Sequence, residues 1–297
     1  MQPTQLYQLP ILQILCGAFL ISFSGIFVKL ADVSPTASGF YRVFFGAIFL
    51  LVATSLAKDF KKLSLREWLL LTFCGFVFAL DLFFWHESIM YIGPGLATLL
   101  GNFQVFFLAA AGILFGGEKS RRRFFIALPL AIIGLLLIVG HNWNELGSSY
   151  QTGISFGLLT ALCYTGFLLS LRKIRTDDSH SLFSTLLIVS AACAFFLGLK
   201  MLHAGDSFVI PDVKSLSALL GLGLFSQTIG WVLIAHALPK IRVSHAGLIL
   251  LLQPALAFIW DVLLFDRPTS APHWIGLSIT LAAIYMGLTG KAAQVKP

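Results

Sequence analysis

Charged residues are scarce in this 297-residue chain: they make up 11% of it, whereas hydrophobic residues make up 58%. A soluble domain carries about 25% charged residues, and a folded protein leaves much of its surface exposed to solvent. The composition therefore excludes a water-soluble fold, and lipid is the solvent that fits it. A spanning helix needs about 20 mostly apolar residues, so the chain has room for about ten spans.

Several functional motifs are also missing. We find no HExxH, no GxSxG and no phosphate-binding loop, so an intramembrane enzyme is only a remote alternative and an ATP-driven pump is excluded. The four cysteines show no CxxC or Cys/His spacing, which indicates packing roles. We therefore predict no catalytic residues, no metal site and no cofactor. The positive net charge lies in loops beside apolar runs, so no nucleic-acid partner is expected.

The first ten residues carry no charge, so the basic start of a cleavable signal peptide is absent. The apolar run that follows is interpreted as a mature membrane helix. Hydropathy predicts ten spans in all. They cover residues 11–31, 35–57, 66–90, 94–115, 122–140, 152–174, 180–203, 214–237, 243–265 and 272–290.

Basic residues are concentrated in every second connecting loop. Clusters such as Lys58 to Arg66, Lys119 to Arg123 and Arg172 to Arg175 all fall on the N-terminal side of the membrane if ten spans are correct. The opposite side holds few Lys and Arg residues. Because cytoplasmic loops are enriched in these residues, both termini are predicted to be cytoplasmic in a multi-pass protein of the inner (plasma) membrane.

Two stretches of the chain are alike. Ala97 to Gln104 resembles Ala246 to Gln253, and each stretch continues into an apolar helix. Each half has five predicted helices. Because five is an odd number, the second half crosses the membrane in the opposite orientation to the first. The prediction is an all-α membrane protein with two inverted five-helix repeats, residues 11–140 and 152–290, around a central cavity. This design is typical of secondary transporters that work by alternating access.

The chain also resembles the EamA type of the drug/metabolite transporter superfamily, from about Leu12 to Gly290. The resemblance rests on short motifs in a matching order: Ser34-Pro35, Phe40-Tyr41-Arg42, Gly117-Glu118-Lys119-Ser120, Gly157 to Tyr164 and Leu252-Gln253-Pro254. Gln104 is followed by Val105, where the family commonly has proline. The resemblance implies two EamA-type repeats and a ten-helix carrier of amino acids, nucleobases, vitamins, amines or similar metabolites.

Charged side chains inside the predicted spans are costly and therefore informative. Arg42 and Asp81 lie at matching depths below the outer surface, at about 1.5 Å of helix per residue. We predict an Arg42–Asp81 ion pair, which serves either as a static brace or as a coupling or gating site. Glu87, near the outer end of the third span, is a further gating candidate or a headgroup contact.

Near the midplane the polar residues are mainly amides and aromatic groups. Such a lining suits a neutral or zwitterionic polar solute. The alternative is that these residues join helices to one another. The predicted substrate-binding set is Trp85, Asn102, Gln104, Tyr164, Gln227, Trp231, Gln253 and Trp260.

Together these features predict a secondary-active transporter of a small polar metabolite, such as an amino acid, with export as the direction. Import of a nucleobase, vitamin or amine is the alternative, and a channel is a remote one. The expected partners are the small-molecule substrate and the lipid bilayer. Coupling to protons, coupling to sodium and simple exchange are all left open by the sequence. The sequence leaves both a monomer and a homodimer open.

Overall fold

The computed structural model describes residues 3–60, 62–115, 122–139, 148–176, 181–266 and 268–288. Over these residues the chain is all-helical. The motif Gly117 to Ser120, the loop that begins at His141 and the predicted repeat ends at 140 and 290 lie outside the described residues.

The helices, in chain order, are α1 (Pro3–Ser22), α2 (Ser24–Leu30), α3 (Pro35–Leu56), α4 (Leu65–Gly101), α5 (Gln104–Leu114), α6 (Arg122–Val139) and α7 (Ser148–Thr176). They continue with α8 (Leu182–Ala204), α9 (Val213–Gly221), a π-helix (Leu222–Gly230), α10 (Trp231–Ala237), a 3₁₀ turn (Leu238–Lys240), α11 (Val243–Leu250), α12 (Leu252–Phe265) and α13 (Ala271–Leu288).

Eight helical segments in the described residues are long and apolar enough to cross a membrane. They coincide with the predicted spans except those at 122–140 and 272–290, which correspond to α6 and α13. The apolar part of α6, Arg123–Ile138, is shorter than the other segments. A multi-pass, all-helical membrane fold is therefore confirmed, and the count of ten spans stays a prediction.

Polar caps fix several helix starts. Ser34 accepts a hydrogen bond from the Ala37 amide ahead of α3, and Ser64 and Glu67 form a reciprocal capping box at α4. At α9 the Asp212 carboxylate accepts from the Ser215 amide at 2.6 Å. This hydrogen bond lowers the pKa of Asp212, because it stabilises the charged form. These caps satisfy backbone groups that a helix end leaves unpaired.

The predicted loop at 91–93 is helical, because α4 continues to Gly101. The chain nevertheless reverses within α4. The Trp85 indole nitrogen donates to the Thr98 hydroxyl at 3.2 Å, although 13 residues separate them. A straight helix would hold residues so far apart in sequence at about 20 Å. The two arms of α4 therefore lie side by side, as the two predicted spans require.

Three predicted spans are interrupted near their middle, where the sequence predicts continuous helices. The first breaks at Phe23, the fourth at Asn102–Phe103 and the ninth at Leu251. The breaks at Asn102 and Leu251 fall at the same position of the two alike stretches, and Gln104 and Gln253 follow them at equivalent places. In the eighth span the α-helical turn widens into the π-helix instead.

Helix packing joins the first half of the chain to the second. α3 packs on α8, α4 on α7, α5 on α11 and α6 on α13, while α1 packs on α10 and the π-helix. The α6–α13 contact is close, since a Cβ added at Gly134 would lie 2.6 Å from the Gly276 carbonyl oxygen. The buried apolar core runs continuously between the two halves.

Candidate functional site

A hydrogen-bonded chain of buried polar groups joins α3, the π-helix and α8. The Arg42 Nε donates to the Gln227 Oε1 at 3.2 Å, and the Gln227 Nε2 donates to the Ser190 hydroxyl at 3.0 Å. Gln227 is 2% exposed and Ser190 is fully buried. Gly46 of α3 makes room for this contact, because a Cβ there would overlap the Gln227 side chain.

Asp81 of α4 is the second charged member of this region and is buried. Its charge interacts with that of Arg42, and both interact with Tyr164 of α7. The predicted direct Arg42–Asp81 ion pair is replaced by the Arg42–Gln227 hydrogen bond. The side-chain amide of Gln227 contacts Arg42 because the π-helix places the Gln227 side chain against Gly46 of α3.

Aromatic rings form one wall beside these charges. The Trp231 ring, at the start of α10, lies 4.9 Å from Phe167, 5.7 Å from Phe78 and 6.3 Å from Tyr164, centroid to centroid, with edge-to-face geometry. The side chain of Gln253 of α12 lies beside Tyr164. An aromatic wall with a few convergent polar groups is typical of small-molecule sites.

The structure thus gathers six of the predicted residues around Tyr164, from α3, α4, α7, the π-helix, α10 and α12. We call this group the Tyr164 cluster. Its members are Arg42, Asp81, Tyr164, Gln227, Trp231 and Gln253. Because its elements come from both halves of the chain, a shift of one half against the other changes its geometry.

Some polar atoms of this region lack a partner within the described residues. They are the Trp231 Nε1, the Gln253 Nε2 and both amide atoms of Gln104. Trp231 is 2% exposed, and Gln104 is fully buried beside Thr165 of α7. Buried donors and acceptors are seldom left unpaired, so each of these atoms calls for an explanation such as a bound solute or water.

Five predicted residues lie outside the cluster: Gln104, described above, and Trp85, Asn102, Trp260 and Glu87. Trp85 and Asn102 both bond to Thr98, the first to its hydroxyl and the second to its carbonyl oxygen at 2.8 Å. Trp260 donates to the Ser22 hydroxyl at 2.8 Å and stacks on Phe23 at 4.5 Å. Glu87 is half-buried and makes no hydrogen bond or ion pair with the described residues.

The sequence reasoning missed Ser190 and Gly46, since a lone serine or glycine in an apolar span is an ordinary packing residue. It also missed a link between α3 and α8, in which Lys200 bonds to the Thr36 hydroxyl at 3.1 Å and pairs with Asp206 at 3.5 Å. Only the scarcity of basic residues in the loops predicted to lie outside could have drawn attention to Lys200.

Comparisons with known proteins agree with this architecture. The EamA-like transporter family matches residues 8–140 and 151–289, one match for each half. An uncharacterized transporter of Archaeoglobus fulgidus is 24% identical over 279 residues, which cover 91% of this chain and 93% of that protein. A solved structure described as "Crystal structure of protein" superimposes with a TM-score of 0.81 at 14% identity, and covers 94% of this chain and 97% of that one.

Two further relatives are each named a probable amino-acid metabolite efflux pump. The one from Salmonella typhimurium is 22% identical and the one from Escherichia coli is 23% identical. Each match extends over 203 residues, which cover 66% of this chain and 68% of the relative.

Proposed function

Because the chain belongs to the EamA-like transporter family, we propose that it is a secondary-active exporter of a small zwitterionic metabolite, such as an amino acid, across the inner membrane. The observation that carries this proposal is the Tyr164 cluster. It holds a half-buried guanidinium and a buried carboxyl group, those of Arg42 and Asp81, beside an aromatic wall. A solute with one charge of each sign matches both, and the relatives named amino-acid metabolite efflux pumps fit such a solute.

The proposed mechanism is alternating access between two inverted repeats. If each helix is replaced by its counterpart in the other half, the same set of helix pairs results. The pairs α3–α8, α5–α11 and α6–α13 each join two equivalent spans. The α4–α7 pair corresponds to the contact of α1 with the eighth span. The equivalent breaks before Gln104 and Gln253 supply bending points in both halves. Broken helices facing a central site are typical of inverted-repeat transporters.

Asp81 is the proposed coupling residue. A carboxylate inside a spanning segment is retained mainly where it pairs, binds a solute or carries a proton. The carboxyl group of Asp81 lies within electrostatic range of Arg42, and a proton or a cationic solute group competes with that interaction. Glu87 makes no contact with the Tyr164 cluster, so its role is limited to the outer mouth.

The test of binding is a thermal-shift screen of amino acids, amines, nucleobases and vitamins on the purified protein. A ligand of the folded state raises the melting temperature in proportion to its occupancy. Gln253→Ala is expected to lose the shift, because Gln253 belongs to the Tyr164 cluster. Gln151→Ala, at an exposed position of α7, is the matched control and is expected to keep it. A full shift in Gln253→Ala would remove that residue from the site.

A further inference from the structure

We propose that the Tyr164 cluster contains a carboxylate subsite, in which the Trp231 Nε1, the Gln253 Nε2 and the Arg42 guanidinium donate to one oxyanion of the substrate. The inference rests on the proposed transport function and deepens it. It names the group that a transported solute must carry, and it excludes amines and nucleobases that lack one.

The first support is the chemistry of the unpaired atoms. The Trp231 Nε1 and the Gln253 Nε2 are both N–H donors, and neither has an acceptor within the described residues. An indole nitrogen can only donate, so a donor group of the substrate cannot satisfy it. A buried donor without a partner costs free energy, and an acceptor brought by the substrate removes that cost.

The second support is position, because Tyr164 is the common neighbour of all three donor side chains. Its ring lies 6.3 Å from the Trp231 ring, its hydroxyl end meets Gln253, and its side chain lies within electrostatic range of Arg42. The donors come from α3, α10 and α12, so three elements contribute to the proposed subsite beside Tyr164.

The third support is the state of Arg42. Within the described residues its guanidinium makes one hydrogen bond, from Nε to Gln227. This bond orients the planar group and leaves the terminal nitrogens for another acceptor. Guanidinium nitrogens match a carboxylate with two parallel hydrogen bonds, which is stronger than a contact with a neutral oxygen.

Charge balance points to a zwitterion rather than to a dianion. Asp81 lies within electrostatic range of Arg42, so the cluster places one guanidinium beside one carboxyl group. A substrate carboxylate on the donor side leaves Asp81 to face a cationic group. A second carboxylate would meet Asp81 and be repelled, since like charges at short range in a low dielectric are strongly unfavourable.

The decisive experiment compares each amino acid with its own carboxamide. The purified protein is reconstituted into liposomes. The liposomes are preloaded with one of the twenty amino acids or with its amide, and counterflow is measured at pH 6. At that pH both compounds carry a protonated amine, because pH 6 lies below the pKa of about 7.7–8.0 of an α-amino group beside an amide, and the carboxylate of the acid raises the pKa of its amine further. The acid is expected to show a KM at least about tenfold lower, as one charge-assisted hydrogen bond gives roughly this factor.

Trp231→Phe keeps an aromatic ring and removes the N–H donor. We expect it to raise the KM of the acid about tenfold and to leave the KM of the amide nearly unchanged. Trp260→Phe is the matched control, because the Trp260 N–H is already bonded to Ser22. It is expected to keep the wild-type preference for the acid.

Equal KM values for acid and amide, or counterflow only with the amides, would overturn the carboxylate subsite and leave the transporter proposal intact. The same preference for the acid in Trp231→Phe as in the wild type would overturn the role of its indole. Absence of counterflow with every solute would count against both proposals, since then no carrier activity exists for the subsite to serve.

Discussion

At the residue scale, Asp81 is the only carboxylate within the Tyr164 cluster. Replacing it with Asn removes the proton-carrying group and keeps the shape. In liposomes, Asp81→Asn is therefore expected to abolish the response of substrate flux to an imposed pH gradient, while exchange of substrate for substrate continues. Glu87→Gln, the matched control outside the cluster, is expected to retain that response. An unchanged response in Asp81→Asn would exclude the coupling role.

Gln227 also contributes to the stability of the fold, through its hydrogen bonds with Arg42 and Ser190. Gln227→Leu leaves the Arg42 Nε without its acceptor, and a lost hydrogen bond to a charged group costs about 1.5–3 kcal/mol. Ser190→Ala removes only the acceptor of the neutral Gln227 amide, which costs about 0.5–1.5 kcal/mol. Thermal unfolding in detergent should therefore rank wild type above Ser190→Ala and Ser190→Ala above Gln227→Leu. The reverse order would show that Arg42 is satisfied elsewhere.

The sequence identified most of this cluster because polar groups stand out in apolar spans. Arg42, Asp81 and Tyr164 were found in this way, and the structure brings them together. The partner of Arg42 was not predicted correctly, because matching depth says nothing of the direction in which each side chain points. Trp260 lies apart from the cluster with its N–H bonded to Ser22, so its role in substrate binding stays a prediction.

At the scale of helices, the contact between α6 and α13 depends on two small residues. A Cβ at Gly134 would lie 2.6 Å from the Gly276 carbonyl oxygen, and one at Gly276 would lie 2.5 Å from the Gly134 carbonyl oxygen. Since the close atoms belong to the backbone, the helices would have to separate. Gly134→Ala is expected to lower the free energy of unfolding by about 1–3 kcal/mol, the usual cost of overpacking.

Gly25 of α2 is the matched control for that substitution, because a Cβ there meets nothing within 4 Å. Gly25→Ala should be neutral or stabilising by up to about 1 kcal/mol, as alanine favours a helix over glycine. Both variants are compared by thermal unfolding in the same detergent. Equal melting temperatures for the two would contradict the close packing of α6 and α13.

Long apolar runs made the helices predictable, and a run of about 20 residues in lipid has few alternatives to a helix. The breaks were not predictable in the same way. Ser22 and Ser24 flank the break at Phe23 and donate to the carbonyls of Phe19 and Ile21, each at 2.6 Å. Serine makes this bond in unbroken helices as well, so its presence alone does not mark a break. The π-helix around Gln227 likewise has no distinctive composition.

Across the whole molecule, the two halves pack as equivalent partners, and the family matches one half at a time. The Tyr164 cluster draws on both halves, so a movement of one half against the other would change its shape. An alternating-access carrier exposes its site to one side at a time, whereas a channel is open to both sides together. This difference in access separates the proposed carrier from a channel.

Counterflow in liposomes tests that consequence most directly. The protein is reconstituted, the liposomes are loaded with a high concentration of an unlabelled solute identified by the thermal-shift screen, and a trace of the labelled solute is added outside. The account predicts transient accumulation of label above its equilibrium level, with a rate that saturates as the external concentration rises. Label that only equilibrates, at a rate linear in concentration, would contradict it.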